Sequence, residues 1–321
     1  MRIGFVLPAL VAGVLVVRGS ALPMPDHVVM VIEENKAFGQ IYGSASAPYI
    51  NSLAAIGAVF TDSHGLGHPS QPNYLELFSG SNQGVTDNTV PPPGYPFSTP
   101  NLGSLLLGAG LTFGGYSEDL PAVGSTVVST GAGGYFRKHN PWVEFSNVPA
   151  SANLPFVGHF PDSLHYDDLP TVSIVVPNQN HDMHDGSVAA GDAWLQTHLD
   201  PYVDWAQTHN SLFILTFDED NGSTAGNDIL TLLVGPMIRP GLYDQTINHH
   251  HLLRTLEDMY GLGHAGNSAN VEPLTSTAFA EVPEAKTFSA ALAVAGIAGS
   301  RWRWRRGGAA SPLIWTWARR R

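Results

Sequence analysis

The sequence predicts a three-layer α/β/α fold built on a mostly parallel central sheet. Short Val- and Ile-rich runs recur along the body, and helical stretches separate them. Continuous apolar runs bounded by turns are the pattern of strands buried on both faces. Alternation of such strands with helices makes the sheet mostly parallel. Carboxylates, amides and imidazoles gather where these runs end, and open α/β sheets bind ligands beyond the carboxyl ends of their strands.

The elements follow in order. His27 to Ile32 is the first strand and runs into Glu33-Glu34-Asn35. Leu111 to Phe113, with Tyr116, leads into Ser117-Glu118-Asp119. Thr171 to Val176 runs into Pro177-Asn178 and then His181-Asp182. Leu212 to Phe217 ends at Asp218-Glu219-Asp220, and Asp228 to Val234 ends at Gly235-Pro236. Helices are expected at Pro48 to Ile56, Pro72 to Phe78, Ser187 to Gln207 with a break at Pro201, and His250 to Tyr260, stopped by Gly261. Residues 84–100 and 121–135 are rich in Gly, Pro and Ser without periodicity and read as long loops.

With 321 residues, of which 43% are hydrophobic, the chain can bury a sizeable core. The formal net charge is −12, but the last 21 residues hold seven Arg and no acid. Before position 301 there are eight basic and 27 acidic residues, a net −19. An acidic body argues against capture of a nucleic-acid backbone. It suits carboxylates arranged around a cation. The absence of cysteine excludes disulfides and thiolate metal sites.

Arg2, the apolar run Ile3 to Val17 and the small residues Gly19-Ser20-Ala21 form a signal-peptide pattern, with cleavage after Ala21 and export expected. The run is shorter than the roughly 20 residues that span a bilayer. Residues 22–285 are then the catalytic body. The tail, 286–321, is apolar and then Arg- and Trp-rich from Arg301 to Arg306. It reads as a disordered extension or weak anchor touching anionic lipid or wall polymer.

Several clusters carry chemistry. Glu34-Asn35 and Asp218-Glu219 supply hard oxygen donors at two strand ends. Adjacent acids there repel each other unless solvent or a cation relieves them. An EF-hand reading of Asp218 onward fails, because loop position six is Ser223 and position twelve is Ile229. In His68-Pro69-Ser70-Gln71-Pro72-Asn73-Tyr74, Ser70 precedes a helix. In isolation Ser70 reads as an N-cap. The same amides would also stabilise an alkoxide or a phosphate. No Gly-x-Ser-x-Gly elbow and no His-Glu-x-x-His motif is present, which disfavours a serine esterase or a zinc peptidase. With 14 His in the chain, imidazole is positioned to replace Arg and Lys as phosphate donor and general acid.

Five ordered blocks resemble the bacterial phosphoesterase family that contains metal-dependent acid phosphatases and phosphocholine-preferring phospholipases C, within the alkaline-phosphatase-like superfamily. The blocks are Val31 to Asn35 with Phe38, His68 to Tyr74 with Ser79-Gly80, Tyr116 to Pro121 with Lys138-His139-Asn140-Pro141, Pro177 to Asp185, and Thr216 to Glu219 with Asn248-His249 and Leu252 to Thr255. The resemblance implies an alkaline-phosphatase-like fold. It implies one divalent metal held by Glu34, Asn35, Ser70, Asp218 and Glu219. Asp182 or Asp185 with His249 leaves a second site open. It implies Ser70 as nucleophile through a phosphoseryl enzyme, with His139, His181, His184 and His249 donating to phosphate oxygens or to the leaving group. His181 and His184 both fit the motif, so their roles stay open.

The function expected is a secreted phosphoesterase acting on phosphate esters, foremost an acid phosphatase. Phospholipase C action on head groups is the enzymatic alternative. A non-catalytic surface protein that binds metal and phosphate is the alternative of another class.

Overall fold

The computed structural model describes residues 22–280. The expectations for the signal peptide and the C-terminal tail lie outside the described residues. Among the described residues no helix is long and apolar enough to cross a membrane.

The elements are β1 (His27–Glu33), α1 (Phe38–Ile41), α2 (Pro48–Ile56), β2 (Ala58–His64), α3 (Ser70–Ser79), α4 (Leu102–Gly108), β3 (Phe113–Ser117), β4 (Asn153–Pro155), β5 (Val172–Val176), α5 (Val188–Ala206), β6 (Ser211–Phe217), β7 (Asp228–Val234), β8 (Gly241–Tyr243), β9 (Ile247–Asn248) and α6 (His249–Met259). They form a nine-stranded sheet in the order β4-β3-β5-β1-β6-β7-β2-β8, with β9 paired to β2. β1 lies at the centre, parallel to both β5 and β6.

The sheet is buried on both faces, as the Val/Ile runs require. Val28, Met30 and Ile32 of β1 join the core beneath α3, α4 and α6. Val29 and Val31 join the core beneath α2 and α5. This alternation is the period-two geometry of a strand. Each such side chain contributes about 1.5–3 kcal/mol when fully buried. Asp192 of α5 locks the two helices of the second face together by accepting the N–H groups of Tyr49 and Ile50 in the first turn of α2, at 3.0 and 2.8 Å.

Three expectations change. α5 is continuous through Pro201. Leu195, Leu199, Tyr202 and Val203 on either side of that proline are buried against the sheet, and their packing outweighs the ~3 kcal/mol that an interior proline costs. β7 runs antiparallel to β6 and β2, so its end at Val234 points away from the carboxyl ends of β1 and β6. Its amino end, Asp228, lies at the site end instead. β2 was not expected at all. Its pattern breaks where Thr61 is exposed and the register shifts between Phe60 and Ser63.

Candidate active site

β1 and β6 are neighbours in register, so their polar ends emerge side by side. Asp218 N–H donates to the Glu33 carbonyl at 3.0 Å, and Glu34 N–H donates to the Asp182 carbonyl at 2.7 Å. The loop after β5 is thereby tied to the end of β1. β2 delivers the chain through residues 65–69 to α3, whose first residue is Ser70. Pro69 takes the N-cap position, so Ser70 is not a cap. Its hydroxyl is free to face the carboxylates rather than the helix amides.

Ser70 is only 2% exposed. Its Oγ donates to Glu34 Oε2 at 3.0 Å and approaches Glu219 Oε1 at 3.3 Å. Asn35 completes the group: its side-chain amide donates to Glu34 Oε2 at 3.2 Å and its backbone N–H to Asp218 Oδ1 at 3.2 Å. Asn35 takes a left-handed conformation, φ 52°, which asparagine tolerates better than most residues. All five expected metal-binding residues therefore meet.

Crowded, buried carboxylates resist ionising together. Burial, then the Glu34 charge, raises Asp218 well above the usual carboxylate range, and the same two causes push Glu219 up to about 8. Asp182 is raised for the same reasons. Glu34 is the exception. Burial acts to raise it, but His139 and then Lys138 overcome this and hold it at about 2. A cation would relieve the remaining repulsion. Asp218 Oδ2 is buried without a hydrogen-bond partner, an orphaned acceptor of the kind that a hard cation satisfies. The donor chemistry of Glu34, Asn35, Ser70, Asp218 and Glu219 fits such an ion. Among the described residues, no group of three or more His, Asp or Glu is drawn together closely enough to hold a metal as it stands. The spacing shown is that of a hydrogen-bonded cluster.

The four histidines separate. His139 is buried, its Nε2 stands 2.9 Å from Glu34 Oε1, and its ring stacks on Tyr74 at 4.9 Å. Burial lowers its pKa. His184 lies 6.4 Å from His139, ring to ring, and its charge acts on Glu34. His181 faces a different group: its Nδ1 lies 2.9 Å from Glu118 Oε2, and its ring stacks 6.2 Å from Trp194 of α5. His249 opens α6, and its Nε2 lies 2.6 Å from the Asp218 carbonyl. Burial drops its pKa to about 4. That contact acts against the effect of burial and braces the Asp218 backbone from behind.

Several residues of the site carried no role in the sequence reading. Asn73 donates to Glu219 Oε2 at 3.0 Å, and His68 Nδ1 lies 3.0 Å from the same oxygen. Lys36 Nζ donates to the Met183 carbonyl at 2.6 Å and so holds the loop bearing Asp182 and His184. His68 and Asn73 lie in the same block as Ser70, which was the available signal. Lys36 follows Glu34-Asn35 directly, but a single lysine has no spacing to read.

The profile of the phosphoesterase family matches residues 40–263. The chain belongs to the phosphoesterase family. Ser70, the four histidines, Asp218 and Glu219 fall inside the match, and Glu34 and Asn35 precede it. A Mycobacterium tuberculosis protein named phosphatidylinositol-3-phosphatase is 54% identical over 256 residues, 80% of this chain and 84% of that protein. A Penicillium chrysogenum protein named phosphate-repressible acid phosphatase is 29% identical, over 75% of this chain and 60% of its own length. A solved Vibrio parahaemolyticus structure in the alkaline phosphatase superfamily superposes with a TM-score of 0.55 at 16% identity, covering 80% of this chain and 72% of that one. That likeness speaks for the fold. The phosphoesterase is thus a phosphoric ester hydrolase with an alkaline-phosphatase-like α/β fold.

Proposed function

We propose that this phosphoesterase hydrolyses phosphate monoesters with Ser70 as nucleophile. The observation that carries the reading is the position of Ser70 Oγ, shared between Glu34 and Glu219 at the amino end of α3. Binding alone requires no hydroxyl there, which disfavours a non-catalytic binding protein.

Glu34, Asn35, Ser70, Asp218 and Glu219 would hold a divalent cation, which would supply charge neutralisation and a lowered hydroxyl pKa. Ser70 Oγ loses its proton into the carboxylate cluster and attacks phosphorus. The ester oxygen departs and takes a proton from an imidazole, for which His184, part-exposed beside His139, is the candidate. Water, deprotonated by the same imidazole, then attacks the phosphoseryl group and releases phosphate. The helix amides and His139 favour the negative charge that develops.

For the substrate, the phosphatase names of both reported relatives favour a monoesterase over a phospholipase C. The 54% identical relative supports a phosphorylated inositol head group as one substrate. The reading includes export, supported by Arg2, the apolar run and Ala21.

The test is Ser70→Ala, assayed on a chromogenic phosphate monoester and on a vesicle-borne phosphatidylinositol monophosphate. Loss of both activities with an unchanged unfolding midpoint supports the reading. Turnover near that of the unsubstituted protein removes Ser70 as nucleophile.

A further inference from the structure

Lys138 lies in the short 3-10 turn Arg137–His139, between two side chains that are both locked. Arg137 donates to Glu144 from Nε and a terminal nitrogen, at 2.9 and 2.8 Å, and its guanidinium sits 4.8 Å from the Tyr95 ring centre. His139 stands 2.9 Å from Glu34 and stacks on Tyr74. These contacts fix the backbone on either side of Lys138 and set the turn against the Ser70 cluster.

Lys138 itself is half-buried. Among the described contacts its ammonium has no hydrogen bond and no ion pair. The half-buried stem leaves the ammonium available to a ligand. Lys36, the other lysine of the described body, is engaged with the Met183 carbonyl. The Lys138 charge nevertheless reaches Glu34, Asp182 and Glu219 around Ser70. A dianionic phosphoryl group entering beside the Glu34 carboxylate gains from a cationic partner in addition to any divalent ion, and lysine serves as a point-charge phosphate binder.

We propose that Lys138 is a substrate-binding residue whose ammonium takes the phosphoryl oxygens of the ester. The inference rests on Ser70 as the centre of reaction and adds the group that holds the phosphate there. Its fixed turn holds the backbone at Lys138 in place before substrate arrives, and so limits the ordering cost of binding to the side chain.

The experiment uses the full chain at one fixed divalent-cation concentration, with inorganic phosphate as the probe. Calorimetry gives its Kd, and competition against a chromogenic monoester gives its Ki. Lys138→Met and Lys138→Gln should weaken phosphate by roughly 10- to 100-fold, the range for a hydrogen bond to a charged group. Lys138→Arg, which keeps the charge, should retain most of the affinity. Unfolding midpoints should match the unsubstituted protein, and the Gln variant carries the test if the Met variant fails to fold. Phosphate binding by folded Met or Gln variants as tight as that of the unsubstituted protein overturns the proposal. Equal weakening by Arg and Met overturns it too, because the charge would then be irrelevant. Failure of the nucleophile reading shows separately, as persistent turnover in Ser70→Ala, since phosphate binding is measured without turnover.

Discussion

Ser70 Oγ donates to Glu34 Oε2 at 3.0 Å, across 36 positions of sequence. The bond joins the start of α3 to the end of the central strand. In the proposed reading it also sets the geometry for Ser70 to act as nucleophile. Glu34→Gln keeps the size and an acceptor but removes the charge. Turnover should fall on the order of 10²-fold or more, the scale seen when a preorganised electrostatic group is lost. Steady-state kinetics on a chromogenic monoester checks this, and circular dichroism checks that β1 survives.

Cation dependence follows from the orphaned Asp218 Oδ2 and the raised pKa values around it. Chelation should abolish turnover, and a single divalent ion added back should restore it. The apo protein should also gain thermal stability on adding that ion, by mass action on the folded state. An unchanged melting curve across a titration of divalent ions would count against the donor set.

His184 and His181 should differ in the substrates they serve. His184→Gln should lower turnover of an alkyl phosphate by about 10²-fold, within the usual range for a general acid. It should affect a nitrophenyl ester much less, because that leaving group needs no proton. His181, paired with Glu118 and stacked on Trp194, should show little dependence on the leaving group.

Arg137 and Glu144 form a buried ion pair, and Glu144 is 1% exposed. Arg137→Ala would leave that carboxylate uncompensated and should cost about 3–5 kcal/mol. Urea unfolding measures it.

Glu257 gives the pH dependence away from the site. Burial raises its pKa, although the Ser268 hydroxyl and the Ala265 N–H, at 2.6 and 2.8 Å, act to lower it. A raised folded pKa means stability is fully present below the ordinary value of 4.5 and is lost as pH rises through the folded value. Glu257→Gln cannot ionise, so its unfolding midpoint should lack that decline over the same window. Parallel pH profiles for the two proteins would refute this assignment.

β1, β5 and β6 were legible because each is a mostly apolar run, interrupted only at single positions such as Ser173 and Thr216, and both faces are covered. β2 was not, because an exposed Thr61 and a bulge interrupt its pattern near the sheet edge. The continuity of α5 was hidden for another reason: local propensity at Pro201 is overruled by packing that only the assembled sheet supplies. The meeting of Glu34, Asn35, Ser70, Asp218 and Glu219 was legible because each follows a strand or starts a helix in a motif. The separation of His181 from His184 was not. It depends on the loop between them, where Met183 adopts φ 73° and sends the two rings to different neighbours. Lys138 belongs to a recognised block, yet only the contacts of its neighbours show that its turn is held against the Ser70 cluster.

The central claim is that Ser70 takes the phosphoryl group. Acid quenching during turnover of a chromogenic monoester, followed by peptide mass analysis, tests it most directly. The peptide containing Ser70 should carry one phosphoryl group on that serine, and Ser70→Ala should carry none. A phosphoryl group on another residue would contradict the claim. So would single-turnover release of phosphate, at the normal rate, with no labelled Ser70 at any time point.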